Sequence, residues 1–134
     1  MSRTLWIVQC LLACVFLFAG AIKLVSPIDT LQAELPLPEA LIRFIGLAEF
    51  LGALGLVLPS LLRILPSLTP LAAAGLTIVM AGATLLTPAL SDGEIAPAVL
   101  PLMVGLLCAL VVYGRTRVAP IQPRRARPMH FASR

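Results

Sequence analysis

Two charged residues, Lys23 and Glu49, lie within apolar stretches of the chain, where an ammonium and a carboxylate could do chemistry inside a membrane. Glu49 falls in the apolar run GLAEFLGALGLVLP, residues Gly46–Pro59. An ionisable group in hydrocarbon costs roughly 2.5–3.5 kcal/mol on insertion scales, so it usually faces a bundle interior or a cavity. Such a pair could hold a proton, a quinone head group or a small solute. It could also serve only to fix helix register, or Glu49 could be protonated and packed.

Arg43 is a competing partner for Glu49, because it precedes Glu49 on the same predicted helix and lies nearer the membrane surface. Lys23 lies near the outer end of the first predicted helix. At about 1.5 Å per residue, Glu49 lies about 13–15 Å below the outer boundary. We therefore predict an intramembrane polar site of Lys23, Glu49 and Arg43 that opens to the outer side, with the pairing inside it left open.

Small residues lie beside these charges and predict close helix contacts. On a helix that turns 100° per residue, the face with Glu49 also carries a glycine on either side and an alanine. Small side chains let a neighbouring helix come close. The predicted packing positions are Gly20, Gly46, Gly52, Ala53 and Gly82.

The chain has three cysteines, Cys10, Cys14 and Cys108, all within apolar stretches. An odd number without a CxxC motif predicts no disulfide framework. A thiol relay or a metal site is conceivable because Cys10 and Cys14 are one helical turn apart, but the stronger interpretation is that cysteine in such surroundings behaves as a small apolar residue. The single histidine, His130, lies near the C-terminus. We therefore predict no metal site in the membrane, and we find no flavin, haem or iron–sulfur motif.

The composition requires a membrane environment for the elements that carry these residues. Of the 134 residues, 60% are hydrophobic and 12% are charged, whereas a soluble domain has about 25% charged residues. We predict an all-α integral membrane protein, a four-transmembrane-helix bundle formed by residues 1–117. The predicted spans are about 5–24, 39–58, 71–87 and 95–114, close to the ~20 residues that a membrane helix needs. A cleaved signal peptide ending near Ala21 is the alternative for the first span.

Prolines and one serine predict where these helices begin and end. Pro59 and Pro88 are expected to close the second and third spans, because proline lacks an amide donor. Ser26 followed by Pro27 predicts the capped start of a short surface helix that runs to about Leu35.

The distribution of charged residues predicts which segments face each side of the membrane. Six of the ten basic residues lie between Arg115 and Arg134, whereas every acid except Glu49 lies in the predicted first and third loops or at their edges. Lys and Arg concentrate in cytoplasmic segments, so both termini are predicted in the cytoplasm. Residues 118–134 form a predicted basic, disordered cytoplasmic tail. The arginines are better explained by topology and contact with anionic lipid than by nucleic acid.

Several motifs together resemble the DoxX-like family of small bacterial four-helix membrane proteins. They are Phe18-Ala19-Gly20-Ala21 with Lys23-Leu24, the run Ile45–Leu56, Met80-Ala81-Gly82-Ala83, and Val112-Tyr113-Gly114-Arg115. The resemblance covers about residues 5–117. Many relatives have a histidine shortly after the third-helix Gly-Ala, where this chain has Thr84-Leu85-Leu86-Thr87, so no role of that histidine transfers.

The resemblance implies a membrane subunit or accessory component of a quinone-linked redox complex in the bacterial inner membrane. The family takes its name from a subunit of a thiosulfate:quinone oxidoreductase, so a quinone is the implied cofactor and a redox protein the implied partner. A small proton-coupled solute transporter is one alternative. A structural or assembly membrane protein without a small-molecule site is another. A homo-oligomer is compatible with each of these interpretations.

Overall fold

The computed structural model describes residues 2–122, and this part of the chain is helical with no strand. Its α-helices are α1 (Ser2–Val25), α2 (Ile28–Glu34), α3 (Glu39–Leu62), α4 (Leu68–Leu90) and α5 (Val99–Tyr113). A 3₁₀ turn (Ala96–Ala98) precedes α5 and a π-helical turn (Gly114–Val118) follows it. Most of the predicted disordered tail, from residue 123 onward, lies outside the described residues.

Within residues 2–122, four helices are long and apolar enough to cross a bilayer. They are α1, α3, α4 and the combined run Ala96–Val118. Large apolar side chains cover the outside of the bundle, among them Leu11, Phe18, Phe44, Leu51, Ile78 and Leu106. Such a surface suits lipid and not water. The predicted all-α bundle of four transmembrane helices is confirmed.

The long helices pack in a closed order. α1 lies against α3, α3 against α4, α4 against α5, and α5 returns to α1. Their shared core contains Leu12, Phe16, Ala53, Leu56, Ala73, Leu76, Cys108 and Val111. We call one end of the bundle the basic end: the start of α1, the connection 63–67 and the end of α5. The opposite end, with α2 and the connection 91–95, is the acidic end.

Two glycines set the register between α1 and α3. A Cβ atom on Gly20 would lie 2.7 Å from the carbonyl oxygen of Gly46 and 2.8 Å from the amide nitrogen of Phe50. A Cβ on Gly46 would lie 2.7 Å from the Cβ of Lys23. No larger residue fits between backbones this close. Lys23 on α1 therefore stands at the level of Gly46 on α3.

Three of the predicted helix boundaries are wrong. Pro59 and Pro88 lie inside α3 and α4, which continue to Leu62 and Leu90. Each proline removes only one backbone donor, and membrane helices tolerate this loss where neighbouring groups replace it. Ser26 does not cap α2, because Pro27 is the N-cap residue and no side chain makes a capping hydrogen bond there. The Ser26 amide instead bonds to the carbonyl of Ile22 in the last turn of α1.

The remaining predicted packing positions differ from one another. Ala53 is buried in the core. A Cβ on Gly52 would lie 2.7 Å from Cδ2 of Leu76, so Gly52 contacts α4. Gly82 is not a contact point, because no described atom lies within 4 Å of the position of its Cβ. Gly82 instead lines a cavity, and an Ala/Gly-rich helix does not reveal from composition which of its small residues meet a neighbour.

Candidate functional site

Lys23 and Glu49 form an ion pair between α1 and α3. The Nζ atom of Lys23 lies 2.7 Å from Oε2 of Glu49. The Glu49 side chain is 4% exposed and the Lys23 side chain 19% exposed. An ion pair so well shielded from water is stable only because each charge compensates the other.

The register of α1 against α3 explains why the pair closes. The large separation in depth expected from the sequence is wrong, because the first turns of α3, from Glu39 to Ile45, extend beyond the level of Lys23. Glu49 follows Gly46 by only three residues, so it lies about 4.5 Å deeper along the helix than Lys23. The lysine stem reaches that far.

Arg43 does not contact Glu49 and has a different role in the structure. Its Nη1 donates to the carbonyl oxygens of Lys23 at 2.7 Å, Leu24 at 2.9 Å and Ser26 at 3.2 Å. The last carbonyls of a helix have no intrahelical partner, and a cation there is favourable. Arg43 therefore caps α1 and holds the backbone from which Lys23 extends. Of the predicted polar site, the structure brings together Lys23 and Glu49 and places Arg43 at its edge.

A cavity of about 520 Å³ borders this ion pair. It lies between α3 and α4 towards the acidic end. Apart from Lys23, Glu49 and Thr87, its walls are apolar or glycine, with Phe44, Ile45, Val79, Met80, Gly82, Leu86 and Leu100 among them. The Thr87 hydroxyl is occupied as a donor, because it bonds to the carbonyl of Ala83 at 2.7 Å. The ion pair thus supplies the charged groups of an otherwise apolar chamber.

The cysteines do not form a site together. Cys10 and Cys14 are exposed on the outside of the bundle, whereas Cys108 is buried inside it. Within residues 2–122 no group of three or more His, Cys, Asp and Glu residues could hold a metal ion. The thiol relay considered from the sequence is not assembled in this part of the chain.

A second buried polar cluster lies at the basic end, and the sequence did not reveal it. The Nε2 of Gln9 donates to the carbonyl oxygen of Leu56 at 2.7 Å, and the Nε of Arg115 donates to Oε1 of Gln9 at 2.6 Å. The hydroxyls of Ser60 and Thr69 bond to each other at 2.7 Å. Gln9 and Thr69 are 0% exposed and Arg115 is 5% exposed. The signal in the sequence was Gln9, an amide inside an apolar helix on the same face as Lys23.

The π-helical turn explains how an arginine at the end of a span becomes buried. The amide of Ala119 bonds to the carbonyl of Gly114, five residues earlier, at 2.7 Å. Such a wide turn changes the direction of the residues within it and often occurs at functional sites. Gly114 and Arg115 are both buried, and a Cβ on Gly114 would lie 2.5 Å from Cδ2 of Leu5. The close approach of α1 and this turn encloses the guanidinium.

We expect Gln9→Leu to destabilise the bundle by about 1–3 kcal/mol, because it leaves a buried guanidinium without its acceptor. The measurement is thermal unfolding of the purified protein in mild detergent. Gln32→Leu is the matched control, since Gln32 is exposed on α2 and donates only to the carbonyl of Leu37. Equal losses in the two variants would show that the cluster does not stabilise the fold.

The fold and its two buried polar clusters define a multi-pass integral membrane protein built as a four-helix bundle. The model of the DoxX-like family matches residues 7–111. The chain therefore belongs to the DoxX-like family. Comparisons with curated proteins and with solved structures gave no match.

Proposed function

We propose that this protein is a quinone-binding membrane subunit of a redox complex in the bacterial inner membrane. The observation that carries the proposal is the apolar cavity bordered by the Lys23–Glu49 pair. Ligand sites are typically concave and apolar, with a few polar groups that orient the ligand. A quinone combines an apolar ring and tail with two carbonyl oxygens, so it matches such walls.

The ion pair can recognise a quinone head group without breaking. A lysine ammonium has three donors, and Glu49 takes one of them, at 2.7 Å. A second donor of Lys23 can bond to a quinone carbonyl, and the Glu49 carboxylate can accept from the hydroxyl of the reduced form. A bound quinone would supply two-electron, two-proton redox chemistry, and a redox centre in a partner protein would be the source or acceptor of the electrons. This chain's contribution is to bind and orient the head group in a dry site.

Filling the cavity should abolish quinone binding without harming the fold. Gly82→Leu places a side chain where no described atom lies within 4 Å of the Cβ, and leucine is a better helix former than glycine. Gly75→Leu is the matched control. Gly75 is also on α4 with no described atom near its Cβ, but it does not line this cavity.

The readout is the thermal stability of purified protein with and without decylubiquinone. A ligand at a hundred times its Kd stabilises the native state by about 2.7 kcal/mol. We expect that stabilisation for the wild type and Gly75→Leu, and its loss for Gly82→Leu. Equal stabilisation of all three proteins, or of none, contradicts the proposed site. Proton release on addition of a cationic drug, blocked only by Gly82→Leu, would favour the transporter alternative.

Orientation in the membrane is part of the same proposal, with the basic end in the cytoplasm. Asp92 and Glu94 lie in a connection without Lys or Arg, whereas Arg63 lies between α3 and α4. We expect a reporter fused after Gln122 to give a cytoplasmic signal, and one inserted between Asp92 and Glu94 to give an external signal. The reversed pattern contradicts this orientation.

A further inference from the structure

A recess of about 350 Å³ opens at the basic end of the bundle, far along the helices from the proposed quinone cavity. Its lining comes from the start of α1, the end of α3 and the segment after α5. Trp6, Ser60, Arg63, Arg115 and Gln122 are among the lining residues. We propose that this recess binds a phosphate-bearing anion, either the headgroup of an anionic lipid or a soluble phosphate.

The guanidinium of Arg115 is buried, and only part of its hydrogen-bonding capacity is used. Its Nε is used by Gln9, but its Nη2 is buried and has no hydrogen-bond partner among the described residues. A buried donor that lacks a partner is costly, and a charged one more so. An oxyanion in the recess would supply the missing acceptor. Arginine is also the side chain whose flat fork of donors matches phosphate oxygens.

The recess is surrounded by positive charge. Arg63 also lines the recess, and Arg3 and Arg117 lie in the segments that form the same end of the bundle. The described lining of the recess contains no aspartate or glutamate, so none of the six acidic side chains of the chain offsets these charges there. The recess therefore joins two cations in one polar hollow at a helix end, which is the arrangement that attracts anionic headgroups.

Trp6 lines the recess and indicates that it lies at the boundary between membrane and water. The guanidinium carbon of Arg115 lies 5.3 Å from the centre of the Trp6 ring. This cation–π contact holds the guanidinium plane in place. Tryptophan is enriched at the level of lipid headgroups. A bound headgroup would thus meet a cation that is already oriented.

Trp6 also provides the measurement, since it is the only tryptophan of the chain. The delipidated full chain in non-ionic detergent is titrated with phosphatidylglycerol, with zwitterionic phosphatidylcholine, and with inorganic phosphate against chloride at equal ionic strength. Tryptophan fluorescence gives the affinity, and native mass spectrometry counts bound lipid independently. We expect saturable binding of phosphatidylglycerol or of phosphate. Response to the lipid alone assigns a headgroup, and an equal response to inorganic phosphate assigns a soluble anion.

Paired arginine variants test whether the recess itself is responsible. Arg63→Gln removes an exposed charge that lines the recess, and Arg117→Gln removes an exposed charge that does not. We expect Arg63→Gln to weaken binding about fivefold, which corresponds to one phosphate-facing cation, and Arg117→Gln to leave it within about twofold. Arg115→Lys keeps the charge but loses the fork, and should weaken binding about tenfold.

If Arg63→Gln and Arg117→Gln weakened the affinity for the anion equally, binding would depend on diffuse surface charge and not on the recess. This result would overturn the proposal. Absence of saturable binding by both fluorescence and mass spectrometry would overturn it as well. Arg63 is exposed and outside the Gln9 cluster, so its variant answers the question even where Arg115→Lys fails to fold. The site is independent of the quinone proposal, because Arg63→Gln leaves the cavity at the acidic end intact.

Discussion

Glu49→Gln and Lys23→Met are each expected to destabilise the bundle by about 3–5 kcal/mol, because each leaves a charge uncompensated in a dry interior. The pair is short, at 2.7 Å, and the Glu49 side chain is 4% exposed. The measurement is the folded fraction against temperature in mild detergent. Glu39→Gln is the matched control, since its exposed carboxylate lies 3.7 Å from Arg43, and its loss should stay within about 0.5 kcal/mol.

The double variant separates a true pair from two independent effects. Replacing a buried ion pair by neutral groups of similar volume is often close to neutral. Lys23→Met with Glu49→Gln should therefore be less destabilised than either single variant, which requires a coupling of about 3 kcal/mol or more between the two positions. Strict additivity of the two losses would show that the ion pair contributes no coupling to stability.

The same double variant also distinguishes packing from ligand binding. If the pair orients a quinone, the double variant regains stability but shows no stabilisation by decylubiquinone. If stability and quinone binding return together, the head group does not depend on these charges, and the apolar walls alone hold the ligand. This outcome would retain the cavity and remove Lys23 and Glu49 from the proposed site.

The number of spans and the inward faces could be predicted from the sequence, because both follow from local properties. Apolar runs of bilayer length indicate membrane helices, and a rotation of 100° per residue places Gln9, Phe16 and Gly20 of α1 on one face, which is buried in the structure. The same rotation places Cys10 and Cys14 on the opposite side of α1, where both are exposed. The helix ends predicted at Pro59 and Pro88 were wrong. The free-energy cost of a proline inside a helix depends on which groups surround the carbonyl that loses its donor, and the sequence does not show those groups.

The candidate sites could not be predicted from local sequence patterns, because they depend on how the helices pack against one another. Whether Lys23 reaches Glu49 depends on the register of two antiparallel helices, which the contact of Gly20 with Gly46 and Phe50 decides. Counting depth separately on each helix missed it. From the sequence, Arg115 was explained by topology and contact with anionic lipid, because no local pattern shows that a π-helical turn buries an arginine against Gln9. Buried polar clusters between distant segments become visible only once the helices are packed.

Gly20→Leu is expected to destabilise the bundle by about 3 kcal/mol or more, because overpacking against backbone cannot be relieved by a rotamer change. Even a Cβ at this position would lie 2.7 Å from the Gly46 carbonyl oxygen and 2.8 Å from the Phe50 amide nitrogen. α1 and α3 would have to separate, which would also lengthen the ion pair between them. The variant should therefore lose stability and stabilisation by decylubiquinone together.

The same substitution at other glycines provides the scale for Gly20→Leu. Gly52→Leu meets the side chain of Leu76, at 2.7 Å from Cδ2, and a side chain can shift, so its loss should be smaller, about 1–3 kcal/mol. Gly75→Leu meets no described atom within 4 Å of its Cβ and should be as stable as the wild type or more so. The expected order of thermal stability is Gly75→Leu, then Gly52→Leu, then Gly20→Leu. If Gly20→Leu were as stable as Gly75→Leu, α1 and α3 would not be in close backbone contact, and the register that pairs Lys23 with Glu49 would be wrong.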